Sequence, residues 1–213
     1  MGKLFILIGL LSLYAVARGQ EETEKQPTGS RLLGRFNPTG LIDPMDERII
    51  AGAEWKILPR LSIGTDASFV FNSAYHPNNR ARGYLLSPFV RWYLKKPGHF
   101  IELQAFYKQV GYHMHDWLQK EAVNGVGAYE ELQDFTLRKE VWGINFIRGG
   151  QKILSFSRHL RFEWYFGLGL RWKRSRVHGV PDAVYSGSAN SLDGPPSVWP
   201  SAPAGFGFVW SFR

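Results

Sequence analysis

Cysteine is absent from the 213 residues, which removes disulfide cross-links and thiolate metal sites and leaves stability to pairing and packing. Long apolar runs are missing as well. After residue 20 no stretch reaches the ~20 residues that a helix needs to cross a bilayer, so a membrane location requires another solution. No serine sits in a Gly-x-Ser-x-Gly turn, the usual mark of a hydrolase nucleophile. No cofactor motif occurs either, and no cofactor is expected.

What is abundant is aromatic and glycine content: 8 Trp, 9 Tyr and 15 Phe accompany 23 Gly, yet the mean hydropathy is only -0.23. Apolar bulk is therefore diluted by polar partners. The chain opens with Lys3, the apolar run Leu4 to Val16, and Ala17-Arg18-Gly19, which sets small residues where a signal peptidase reads. This pattern predicts a cleavable signal peptide over residues 1–19. Its apolar run is too short for a membrane anchor. Removing it takes Lys3 and Arg18 and leaves 24 basic against 18 acidic residues. An exported basic surface points to lipid and lipopolysaccharide phosphates as partners, and not to nucleic acid; the positive charge equally fits a role in solubility or in lining the barrel interior. Residues 20–30, polar and bearing Pro27 and Gly29, read as a flexible lead-in; residues 31–213 read as one domain.

The strongest signal is alternation with period two. From His159 to Lys173, Leu160, Phe162, Trp164, Phe166, Leu168, Leu170 and Trp172 share one face. His159, Arg161, Glu163, Tyr165, Gly167, Gly169, Arg171 and Lys173 share the other. A helix would scatter these charges around its cylinder, whereas a strand segregates them. The C-terminus repeats the pattern with Phe206, Phe208, Trp210 and Phe212. An aromatic row of that length is an aggregation hazard in water and is expected against lipid. Weaker alternations cover 31–38, 48–56, 61–71, 84–94, 100–112 and 135–148, which makes eight strands.

The links sort by length. Residues 57–60, 95–98 and roughly 149–158 are short, while 39–47, 72–83, 113–134 and 174–204 are longer. Short turns at one rim and long loops at the other, with an even strand count, predict an all-β, eight-stranded antiparallel up-and-down transmembrane β-barrel. The expected address is the outer membrane of a Gram-negative bacterium, reached with the help of the barrel-assembly machinery.

Three stretches carry a family likeness: Gly83-Tyr84-Leu85-Leu86-Ser87-Pro88-Phe89-Val90-Arg91-Trp92-Tyr93-Leu94, then Trp164-Tyr165-Phe166-Gly167-Leu168-Gly169-Leu170-Arg171, and the Gly/aromatic C-terminus. On these the chain resembles the small outer-membrane β-barrel proteins common in Bacteroidetes, particularly a DUF3575-like group of unknown function. The resemblance implies a barrel and an outer-membrane address, and brings no catalytic residues. Barrels of this class usually end on an aromatic residue, whereas here Arg213 follows Phe212.

Inward-facing charges are the first candidates for a site: Arg35, Arg48, Glu54, Asp66, Arg91, Glu102, Lys108, Arg161, Glu163, Arg171 and Lys173. An eight-stranded bore is just wide enough to be filled by side chains, so these groups are expected to pair as an ionic plug and not to line a pore. His113 and His115 would share a face, with Asp116 beside them, if the fifth strand extends that far. A third well-placed metal ligand is missing from the pattern. The loops over 113–134 and 177–203 are long enough to be functional. The sequence therefore predicts a structural, adhesive or ligand- and partner-binding role through the outer loops. The alternatives are an enzyme acting on lipid or lipopolysaccharide, or a narrow channel.

Overall fold

The computed structural model describes residues 31–43, 46–73, 81–121, 127–180, 183, 185 and 197–212. The expected signal peptide and lead-in, 1–30, lie outside the described residues. The alternating segments become nine strands: β1 (Leu32–Asn37), β2 (Glu47–Leu58), β3 (Leu61–Asn72), β4 (Ala81–Tyr93), β5 (His99–Lys120), β6 (Tyr129–Leu154), β7 (Ser157–His178), β8 (Ser197–Ser201) and β9 (Ala204–Ser211). Each strand from β1 to β7 pairs antiparallel with the next, and β9 pairs with both β7 and β1, so a ring of eight closes. Strands β8 and β9 keep one register against β7, with Gly169 opposite Ser201 and Phe166 opposite Ala204. They are one barrel strand interrupted at Ala202-Pro203. The predicted eight-stranded up-and-down architecture is the one observed.

Closure gives every strand an inner and an outer face, and side chains divide between them at each second residue. On β7, Trp164, Phe166, Leu168 and Leu170 are exposed outside, while Glu163 is buried inside. Phe206, Trp210 and Phe212 continue the outer apolar surface. Leu160, Phe162 and Phe208 belong to the same face, with Phe162 packed on Phe206 and Phe208 at ring distances of 6.1 and 6.0 Å. In the middle of β4, Leu86, Pro88 and Val90 point out while Ser87, Phe89 and Arg91 point in. Pro88 has no N–H to donate, and the ladder to β5 skips Ser87 and Pro88.

Three links differ from the expected ones. The turn after β6 contains only Ser155 and Phe156, β5 and β6 extend their ladder to Lys120 and Tyr129, and β7 runs on to His178. The cause is an inversion of polarity along the same strands. Tyr107, Trp142 and Trp172 lie in one register row on the outside. Beyond it the outer face carries Gln109, Arg138, Glu140, Arg174 and Arg176, while the inner face becomes apolar with Val110, Tyr112, Met114, Leu118, Phe135 and Leu137. A search for apolar-out alternation stops at that row, although the strands do not. At ~3.3 Å per residue, the 26 residues of β6 make a wall about 85 Å long, against 6 residues for β1.

Glycine holds one close approach inside the ring. A Cβ built on Gly149 would lie 2.5 Å from the Trp164 carbonyl oxygen and 2.9 Å from Phe100 Cε1. Gly149→Val is expected to cost about 1–3 kcal/mol, the usual range for overpacking. In contrast, the nearest atom to a Cβ on Gly111 is 3.6 Å away. A tryptophan-fluorescence denaturation curve should show a lower midpoint for Gly149→Val and little change for Gly111→Val.

Candidate functional site

Toward the short-turn end of the bore, two arginines meet four carboxylates. Arg91, inward on β4, donates from Nε to Glu102 Oε2 at 2.8 Å, and its Nη1 and Nη2 reach the two oxygens of Glu163 at 2.6 and 3.1 Å. Its Nη1 also lies 3.2 Å from Glu54 Oε2. Arg35, from β1, adds contacts to Asp66 and Glu163 at 3.2 Å each, and to Glu102 and Glu54 at 3.6 and 3.7 Å. Around them, the Tyr93 and Ser62 hydroxyls donate to Glu54 at 2.5 and 2.6 Å, and Gln151 donates to Glu163 at 2.7 Å.

The planar guanidinium is suited to this position because its fixed fork satisfies several carboxylates at once and its faces stack on rings. The carbon of the Arg91 guanidinium lies 3.7 Å from the Phe100 ring centroid, and that of Arg35 lies 4.4 Å from Phe89. Arg91, Glu54, Glu102 and Glu163 are each at most 3% exposed, so side chains fill the bore at this level. Tyr93, Phe100 and Ile147 pack together beside it.

Six of the predicted charges thus come together: Arg35, Glu54, Asp66, Arg91, Glu102 and Glu163. Lys108, Arg161 and Arg171 do not join them, because strand tilt spreads the inner face along the axis. Arg161 reaches Gln151 Oε1 at 3.4 Å, nearer the short-turn rim. Lys108 pairs with Asp46, and Arg171 lines a cavity of about 320 Å³ on the long-loop side of the network. Five cations line that cavity, Arg48, Lys108, Lys139, Arg171 and Lys173, against three carboxylates, Asp43, Asp46 and Asp66. Asp66 borders both groups, and Arg161 and Lys56 stand below the network, so the clear excess is the cationic one in the cavity. Lys139 shares the inward parity of Asn145 on β6 and could have been read from the alternation. Asp46 fell in a predicted loop, and nothing in its neighbourhood marked it.

Beyond the cavity, Tyr112, Met114, Leu118, Phe135 and Leu137 form an apolar cluster with Val70, Ala81, Val110 and Tyr185. Tyr185 is tied down by donating to Asp116 Oδ2 at 2.7 Å. Outside this wall His113 and His115 do share a face, as their spacing implied. His115 Nδ1 lies 2.8 Å from Asp134 Oδ1, and His113 Nδ1 lies 3.3 Å from Thr136 Oγ1. Among the described residues no group of three His, Asp or Glu side chains is arranged to hold a metal ion. At the hairpin tip, a hydrogen bond to Glu131 Oε2 at 2.5 Å holds the Lys120 ammonium above its ordinary pKa.

Removing the central cation should be costly. Arg91→Met leaves Glu54, Glu102 and Glu163 facing one another and is expected to lose about 3–5 kcal/mol of stability. Arg91→Lys keeps the charge without the fork and should fall between Arg91→Met and the native chain. Adding Glu163→Gln to Arg91→Met should recover part of the loss, and a double-mutant cycle on denaturation midpoints measures the coupling.

No protein-family model, no curated protein and no solved structure matches the chain.

Proposed function

We propose that the chain is an outer-membrane β-barrel with a closed bore, exported through residues 1–19, whose work is ligand or partner binding at its long-loop end. The observation that carries this reading is the polarity inversion at Tyr107, Trp142 and Trp172. Below that row apolar side chains face out and ions face in; above it the outer face turns mostly polar, Trp117 and Leu132 excepted, and past Lys139 the inner face turns mostly apolar. One continuous strand with two opposite patterns suits two different solvents, hydrocarbon below and water above. Aromatic residues at the change-over match the interfacial girdle of such barrels.

Dimensions agree. From Leu160 to Trp172 the outer face of β7 is apolar, and twelve residue steps of ~3.3 Å, tilted by ~40°, rise about 30 Å. That is the thickness of a bilayer's hydrocarbon core. Toward the other rim Trp55, Trp92 and Trp210 supply aromatic residues again. The filled level around Arg91 argues against ion conduction, and the tall wall of β5, β6 and β7 offers a binding surface outside.

The purified chain, refolded in detergent, should run faster on a gel unboiled than boiled and show no conductance in planar bilayers. Leu168 gives the sharper test. It is 74% exposed, so in water Leu168→Arg would be close to neutral, within about 0.5 kcal/mol. In a bilayer the same change should cost about 2–4 kcal/mol. A neutral outcome in liposomes, or a chain that stays monomeric without detergent, would sink the proposal.

A further inference from the structure

The last strand is partnered on both sides for only part of its length. Phe212 N–H donates to the Leu32 carbonyl and Gly167 N–H to the Pro203 carbonyl, so the even-numbered residues of this strand address β1 and the odd-numbered ones β7. β1 follows only as far as Phe36, opposite Phe208. Beyond it, Asn37 caps a short 3-10 helix, Pro38–Ile42, that packs mainly on β2 and touches β9 without pairing with it. Among the described residues Val198, Pro200, Ala202, Ala204 and Phe206 consequently meet no strand across this seam. Pro200 has no N–H to leave unpaired there.

An open sheet edge at membrane depth is tolerated only beside protein or a polar cavity. Here it borders the cationic cavity. Ser201, Ala202 and Pro203 form part of the cavity wall, and Ala202 is also exposed on the outer surface. At the level of Leu168, within the apolar band, this strand with no partner strand on its far side is therefore the wall between the cavity and the outside.

Inside, four cations converge. Lys108 and Lys173 both stand opposite Val141, Lys139 is the next inward residue on β6, and Arg171 is the next on β7. They lie at the height of the Tyr107, Trp142 and Trp172 row, where the charged heads of amphiphiles reside. Several polar atoms are buried without a hydrogen-bond partner: Arg171 Nε, Asn145 Oδ1 and Ser68 Oγ. Ser68 and Asn145 are only 6% and 4% exposed. Water would satisfy the Ser68 hydroxyl and the Asn145 oxygen but not the excess charge; an anion answers that charge and can accept from Arg171 Nε and Ser68 Oγ.

We propose that the cavity binds an anionic amphiphile, its phosphate or carboxylate head among Lys108, Lys139, Arg171 and Lys173, its alkyl chain leaving through the seam at Ala202. Leu168 and Leu170 flank that exit on one side, with exposed Leu41 and Ile42 on the helix beyond. A volume of about 320 Å³ suits a head group and leaves the tail outside. The inference rests on the outer-membrane reading, since it is the bilayer that delivers such a ligand to a lateral opening.

The test uses the full chain folded in dodecyl maltoside, with 11-bromoundecyl phosphate as a quencher of tryptophan fluorescence. Trp199 lies at the seam, its ring centroid 4.7 Å from Lys173 Nζ. Quenching should saturate at one probe per chain and shrink by more than half in Trp199→Phe. Lys139→Met with Arg171→Met should raise the half-saturation concentration at least tenfold. That variant removes like charges, and its faster unboiled band verifies folding. Unbrominated dodecyl phosphate should displace the probe where equimolar inorganic phosphate does not. Equal displacement by inorganic phosphate would make this a free-anion site and overturn the amphiphile. Absence of saturable quenching in a preparation that shows the fast band would overturn the site and leave the outer-membrane reading standing. A chain that stays folded and monomeric without detergent would overturn both.

Discussion

Closure of the backbone ladder is the constraint on which everything else depends. Once β9 meets β1, every strand around the lower ring has neighbours on both sides, and side chains have only two directions left, into a narrow bore or out to the surroundings. Each second residue must therefore suit one environment and its neighbours the other. At the Tyr107, Trp142 and Trp172 row the outer face of the tall strands changes from apolar to mostly polar.

The bore shows how a narrow cylinder handles ions. Two guanidiniums among four carboxylates form a network in which forks, hydroxyls and ring faces compensate the cost of leaving water. The cavity above holds more cations than carboxylates, while toward the short turns Arg161 and Lys56 stand near the carboxylates of the network. That surplus leaves the cavity able to accept a further anion.

The wall is uneven in height, and this gives the barrel a direction around its circumference. β5, β6 and β7 rise far above the Tyr107, Trp142 and Trp172 row, and β5 and β6 supply most of an apolar cluster there, while β1 stops at Asn37 and the last strand breaks at Ala202-Pro203. The tall strand β7 stands directly beside the broken last strand.

The sequence by itself determined the strand count, the inward set and the outward set, because alternation of charge and hydrocarbon on β7 and β9 admits one solution when strands close into a ring. Arg35, Glu54, Asp66, Arg91, Glu102 and Glu163 were legible as inward charges from parity alone. Which of them would touch was not legible: strand tilt and register decide the height of each residue, and they placed Lys108 and Arg171 in a different chamber from Arg91. The same geometry hid the upper walls, since Tyr112, Met114 and Leu118 face inward where a lipid-facing pattern would put them outside. It also hid the seam, which exists only because the β1 ladder ends at the level of Phe162 while β8 reaches Lys173 on β7, eleven residues higher, a relation between segments some 160 residues apart in the chain.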